Sequence, residues 1–177
     1  MATEEELLVR TASGDQAALA ELYRRMAPRV LALATRILGS REEAEEVLQD
    51  TFVKLYRDGH RYTPEKSSAR TFVLTVARNL AISRLRARSA RPTKAPLDVH
   101  DPGFSHPAPE PPDLTTRVVV RRALEQLEAD ERRLLEEAFF MGYTHKELAQ
   151  RHGLPLGTVK TRLRRALLKL RRYLEAP

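Results

Sequence analysis

THKELAQRHGLPLGTVKTRLRRALLKLRRYL, residues 144–174, is the stretch that decides the fold. Thr144 with Glu147 three residues on is the pattern in which a helix's first amides are satisfied reciprocally, a capping box. It predicts a short helix that Gly153 ends, where the turn needs positive φ. Leu154 and Pro155 follow, and Pro155 suits the first turn of a second helix, where its missing N–H costs nothing. A short helix, a tight turn and a longer helix make a helix-turn-helix. Ala149 sits where the two helices cross, and Leu148, Leu154 and Val159 supply the small core between them. His152 occupies a place where a larger apolar side chain is expected.

The longer helix has two faces. Leu156, Val159, Leu163, Leu167, Leu170 and Leu174 form one apolar stripe at spacings of three and four. At 100° per residue the opposite side carries Thr158, Thr161, Arg165 and Arg172, with Arg162 and Lys169 adjoining it. From Arg151 to Arg172 there are eight basic residues and no acidic one. A structural helix usually interleaves both signs for i,i+4 pairing. An apolar face that docks and a basic, threonine-bearing face that points outward suit a major-groove reader. The competing reading is an amphipathic helix for an acidic protein or a membrane surface.

Composition agrees with a polyanionic partner. The 177 residues carry a formal charge of +7, and arginine outnumbers lysine 25 to 6. Arginine suits bidentate recognition of phosphate and guanine; a GC-rich genome produces the same bias. Without cysteine, disulfide and thiolate chemistry are excluded. No apolar run approaches the roughly 18 residues of a spanning helix, and the N-terminus is acidic and amphipathic, so a cytoplasmic protein without membrane insertion is expected. The five histidines show no metal-ligand spacing, and neither a phosphate loop nor a nucleophile motif occurs. No catalytic residue, metal or cofactor is expected.

Helical periods dominate elsewhere too, which predicts an all-α protein. The exception is residues 92–116, which hold seven of the eleven prolines and little to bury. That segment is expected to be a flexible, proline-rich linker. It separates a helical domain over 1–91, with 16 basic and 12 acidic residues, from the helix-turn-helix domain over 117–177, with 14 and 8.

In the first domain a short helix near residues 3–12 precedes a long one that Asp15 caps and Gly39 closes, with a kink expected at Pro28. Ser40 to Glu43 reads as a second capping box, opening a helix to about Asp58. On that helix Val47, Leu48, Thr51, Phe52 and Leu55 can face inward. Glu46, Gln49 and Asp50 then share another face, which periodicity alone reads as a solvated acidic surface. The loop that follows mixes cations, an aromatic ring and hydroxyls in Arg61, Tyr62, Lys66, Ser67 and Ser68, a mixture suited to single-stranded nucleic acid. Ser67 or Ser68 can cap a helix to about Arg88. Arg78 and Asn79 interrupt its apolar run, and a buried asparagine bonded to a neighbouring helix is the plain reading of Asn79.

Three segments in order, AEEVLQDTFVKLYR (44–57), ARTFVLTVARNLAISRLRAR (69–88) and GLPLGTVKTRLRRALLKLR (153–171), resemble the sigma factors of bacterial RNA polymerase. The likeness is to the small extracytoplasmic-function group, which keeps only the second and fourth conserved regions. It implies a four-helix region 2 and a helix-turn-helix region 4, core RNA polymerase and promoter DNA as partners, and an anti-sigma protein as a further one. By the resemblance Glu46, Gln49 and Asp50 match the positions that dock on the polymerase clamp helices. Residues from Arg61 to Phe72 match the loop that captures a flipped minus-ten base, and Arg78, Asn79 and Ser83 match the adjoining recognition helix. Thr158, Lys160, Arg162 and Arg165 match the helix that reads the minus-thirty-five element, whose outward face also carries Thr161. Phe72 and Tyr56 stand where the family often has tryptophan. Three other functions compete. A freestanding helix-turn-helix repressor needs a dimerisation or ligand domain that the first lobe does not resemble. An enzyme lacks its motifs, and a protein adaptor leaves the unopposed positive charge without a purpose.

Overall fold

In the computed structural model the described residues are 1–89 and 114–175, and among them every regular element is helical. They belong to two compact units, the boundary falling between Ala108 and Pro109. The expected linker lies outside the described residues except at its end: a helix already begins at Leu114, three residues before the expected domain boundary.

The first unit holds α1 (Glu4–Ala12), α2 (Gln16–Leu38), α3 (Arg41–Asp58) and α4 (Ala69–Arg88), with a 3₁₀ turn at Gly59–Arg61 after α3. The long α2 packs against all three other helices. Its inward residues Leu22, Met26 and Val30 are wholly buried with Leu8, Leu55 and Val73. The helix starts follow from their caps. Thr3 and Glu6 form a reciprocal capping box that opens α1, and Asp15 accepts from the Ala18 amide at 3.0 Å. Gly39 turns left-handed at φ 67° and closes α2. Pro28 lies inside α2 without ending it.

One expectation needs correction here, and one open choice is resolved. Ser40 accepts from the Glu43 amide, but Glu43 does not return the bond; its carboxylate goes to Arg88 at 2.7 Å. An arginine donor outcompetes a backbone amide for an anion, because both partners are charged. Of the two serines before α4, Ser68 is the cap, accepting from the Thr71 amide at 3.1 Å, while Ser67 is buried.

The second unit holds α5 (Leu114–Glu125), α6 (Ala129–Phe140), α7 (His145–His152) and α8 (Leu156–Glu175). Thr144 and Glu147 form the full capping box on α7. Gly153, at φ 61°, closes it by donating its amide to Ala149. Pro155 stands just before α8, not inside it, and its carbonyl accepts the Val159 amide at 3.2 Å. Leu134, Leu148, Val159, Leu163 and Ala166 form the core. The apolar stripe of α8 is shorter than its sequence period. Leu156 and Leu174 at its two ends are 37% and 39% exposed, while Ala166 in the middle is fully buried. Periodicity finds the face of a helix; the extent of the helices packed against it sets how much is covered.

Candidate nucleic-acid interfaces

On α8, burial of Val159 and Leu163 turns the opposite side outward. Thr158, Thr161, Arg162 and Arg165 line one open concavity together with Gly157. Lys160 is exposed beside it. Thr161 donates its hydroxyl proton to the Gly157 carbonyl at 2.8 Å, so only its oxygen lone pairs remain to accept from a ligand. Arg162 lies 3.9 Å from Asp130, whose side chain is 81% exposed, a contact of little worth in water.

The eight cations of this region are therefore not equivalent. Lys169, read from the sequence as adjoining the outward face, donates to the buried Glu131 of α6 at 2.8 Å. Burial pushes the Glu131 carboxyl up, but the Lys169 and Glu128 amide hydrogen bonds outweigh it and hold the group below its usual range. Lys169 thus closes a structural charge pair, and the single-helix view missed it because its partner is 38 residues away. Arg151 and Arg171 are also engaged, with Glu137 and Glu175. Lys160, Arg164, Arg165 and Arg172 have no ion pair among the described residues.

Beneath the helix-turn-helix sits a second carboxylate that sequence reading missed. Glu137 of α6 is buried and accepts from His152 at 2.7 Å and Arg133 at 3.2 Å. Burial raises its pKa, yet those hydrogen bonds prevail and keep the carboxyl below its usual range. This accounts for His152 at an apolar-looking position: the ring reaches back to α6 and ties the end of α7 to it. Arg151 lies 4.3 Å above the Tyr143 ring beside it.

The first unit places its expected residues differently. Glu46, Gln49 and Asp50 are exposed together on α3, and the five residues read as inward are buried. In the loop and α4, Arg61, Lys66 and Ser83 are exposed and Asn79 is half-buried, with its Oδ1 accepting from Arg78 at 3.3 Å. Tyr62, Ser67, Phe72 and Arg78 are buried. The Tyr62 and Phe72 rings pack at 5.4 Å, so neither offers a free face for a base. Burial pushes the Tyr62 phenol up to about 12, with Glu5 and Glu65 adding to it. Burial also pulls the Arg78 guanidinium down to about 10. In the free protein these four belong to the interior.

What fixes this loop against the unit is α1. Glu5 accepts from the Ala69 amide at the start of α4, at 3.2 Å. Its neighbour Glu4 pairs with Arg70 at 3.0 Å, both side chains being largely buried. The acidic start of the sequence is thus a clamp on the first turn of α4.

Two helical units, one offering a cationic helix face over a helix-turn-helix and the other a basic loop and helix, define a bipartite nucleic-acid-binding protein. Its sequence matches the sigma-70 region 2 family over residues 22–91 and the sigma-70 region 4 family over residues 123–172. It is 35% identical to the ECF RNA polymerase sigma factor RpoE of Cereibacter sphaeroides, over 90% of this chain and 88% of that one. Identity to the ECF RNA polymerase sigma factor SigK of Mycobacterium tuberculosis is 32%, over 96% and 92%. Among solved structures it is similar to Rhodobacter sphaeroides SigE in complex with the anti-sigma ChrR, at 32% identity and a TM-score of 0.49, covering 97% of this chain and 99% of that one. The chain belongs to the extracytoplasmic-function group of RNA polymerase sigma factors; it is a transcription initiation factor that directs polymerase to promoters, and not an enzyme. Among the described residues no helix is long and apolar enough to cross a membrane.

Proposed function

We propose that α8 reads the minus-thirty-five element as duplex in the major groove, through Thr158, Lys160, Thr161, Arg162 and Arg165. The observation that carries this is the open concavity bounded by four of those five residues, on a helix whose other side is anchored by buried Val159 and Leu163. Arginine forks there match guanine edges, and threonine acceptors and methyls match the remaining pattern of the groove.

The first unit takes the minus-ten element as an opened strand. Arg61, Lys66 and Ser83 make the first contacts, from positions that are exposed in the free protein. Tyr62, Ser68, Phe72, Arg78 and Asn79 form the wall behind them, and Ser67, buried with an unpartnered hydroxyl, becomes available only if the loop shifts. Glu46, Gln49 and Asp50 dock on the core polymerase. Each unit alone binds DNA weakly; held on polymerase through the linker they act as one bivalent reader, in which local concentration replaces intrinsic affinity. Binding an unstacked base draws melting forward, against an unstacking cost on the order of a few kcal/mol. The protein works in the cytoplasm, and an anti-sigma protein that covers these same faces holds it inactive.

Run-off transcription with core polymerase on a promoter library tests this reading. The expected outcome is polymerase-dependent transcripts from templates sharing two spaced elements, with no stable shift of the same DNA by the protein alone. Tight, palindrome-specific binding without polymerase is the result that overturns it.

A further inference from the structure

The acidic face proposed for polymerase docking is already occupied. Arg84, from α4, donates through Nη1 to Glu46 Oε2 and through Nη2 to Asp50 Oδ2 at 3.0 Å. One planar guanidinium thus bridges two carboxylates that lie one turn apart on α3. Arg88, one turn along α4, meets Glu43 at 2.7 Å and also donates to the Leu38 carbonyl at 3.1 Å. An arginine stripe on α4 therefore lies along an acidic stripe on α3. Unlike Lys169 on Glu131, this pairing is not sealed: the Arg84, Glu46 and Asp50 side chains are 33%, 55% and 54% exposed. The hydrogen bond to Glu46 is the main cause of a raised Arg84 pKa, with Asp50 adding to it.

Half-exposed ion pairs are worth little in water. An incoming cationic surface that seeks Glu46 and Asp50 meets Arg84 at hydrogen-bond distance from both, and like charges crowded there repel. Displacing Arg84 is the cheaper outcome. Once displaced, its charge has lost both partners, and it sits next in sequence to Ser83, an exposed residue assigned above to the opened strand. A phosphate of the strand assigned to Ser83 has the charge and shape that a freed guanidinium fork pairs with.

We propose that Arg84 couples polymerase docking to DNA capture: it covers Glu46 and Asp50 in the free protein and transfers to a promoter phosphate when polymerase takes them. The proposal rests on the docking and strand-binding roles given above. It supplies a physical reason for a free chain with weak DNA affinity, since a cation needed for DNA is neutralised until polymerase arrives. By linkage, promoter DNA that engages Arg84 also strengthens the hold on polymerase.

The test uses the full chain with Arg84→Gln, Arg84→Lys and Asp50→Ala, measuring core polymerase affinity and the salt dependence of holoenzyme binding to promoter DNA. Arg84→Gln should tighten polymerase binding about 2–5-fold, since a competing pair is gone. It should also lower the slope of log affinity against log salt by about 1, the loss of one phosphate contact. Arg84→Lys, which keeps the charge but not the fork, should tighten docking while retaining the slope, and it carries the test should the glutamine variant fold poorly. An unchanged slope in Arg84→Gln overturns the transfer, and weaker polymerase binding shows Arg84 orienting the carboxylates and overturns the proposal. Asp50→Ala separates the two levels. If it leaves polymerase binding intact, the docking reading fails and takes the coupling with it; if it weakens binding while Arg84→Gln changes nothing, the coupling alone fails.

Discussion

The outward side of α8 and the loop-and-α4 face of the first unit were both read from sequence as nucleic-acid surfaces, and the structure treats them in opposite ways. On α8 four of the five expected contact residues line an open concavity, and the cations that belong to the fold can be separated from those that do not. On the first unit four of nine expected contacts are interior: Tyr62, Ser67, Phe72 and Arg78. An amphipathic helix declares its exposed side because its apolar stripe must be covered. A loop has no such constraint, and an aromatic there serves a core as readily as a base. The comparison also distinguishes open from covered: the α8 residues line a concavity open to solvent, whereas the Tyr62 and Phe72 rings are buried against each other.

The comparison breaks most severely if the α8 surface does not depend on the small core behind it. Leu148 is fully buried between α7 and its neighbours. Leu148→Ala should cost about 2–5 kcal/mol of stability in the second unit. Chemical denaturation of the full chain should show that loss with the first unit's transition unmoved. Minus-thirty-five binding that survives such a loss at room temperature would mean that α8 reads DNA without its scaffold.

Glu137 sharpens the same point by pH. Its folded pKa is held below the ordinary glutamate value of 4.5, so its contribution is fully present above that pH and is lost as pH falls through the folded value. Glu131 adds to the same acid limb with the same sign. Glu137→Gln should lose about 1.5–3 kcal/mol near neutrality, the worth of hydrogen bonds to a charged group, and should flatten stability against pH below 4.5. Urea unfolding from pH 7 down to 3 checks both. A variant that loses stability in parallel with the wild type across that range would show that the Glu137 carboxyl titrates alike in the folded and unfolded chain, and would overturn its lowered folded pKa.

On α8 itself, Arg165 and Lys169 lie four residues apart and should differ in kind. Arg165→Ala should cost about 1–3 kcal/mol of binding if its fork reads a guanine, and the loss should vary with promoter sequence. An equal loss on every promoter would assign Arg165 to phosphate instead. Lys169→Ala should destabilise the unit by leaving Glu131 buried without its cation, with no change in which sequence is preferred.

Much of this architecture is written locally in the chain. The caps at Thr3, Asp15 and Thr144, the glycine stops at Gly39 and Gly153 and the buried side of α3 all follow from neighbours within four residues. What escaped depends on distant partners: Glu131 with Lys169, Glu137 with His152, Glu4 with Arg70 and Arg84 with two carboxylates of α3. A charge pattern along one helix cannot show which charges a second helix will neutralise. That is why the cationic stripe of α8 looked uniform and the acidic stripe of α3 looked bare. His152 was the one visible sign, a polar side chain at a position with an apolar period.

The smallest expected effect concerns Tyr62, and it decides whether the first unit's aromatic pair is only interior. Its hydroxyl is buried without a hydrogen-bond partner, and an unsatisfied buried polar group costs stability. Tyr62→Phe keeps the ring against Phe72 and removes that cost, so the folded chain should gain stability, by less than about 1–3 kcal/mol because a chain shift or solvent recovers part of it. If the pair serves packing alone, transcription should be unaffected. If the loop opens to place Tyr62 against an unstacked base, stacking is retained by phenylalanine and only a hydroxyl contact is lost. Tyr62→Leu then divides the cases: a loss confined to promoter opening, with heat stability matched to Tyr62→Phe, assigns the ring to the DNA. A loss of stability that tracks the loss of transcription leaves it in the core, and the contrast with α8 stands as drawn.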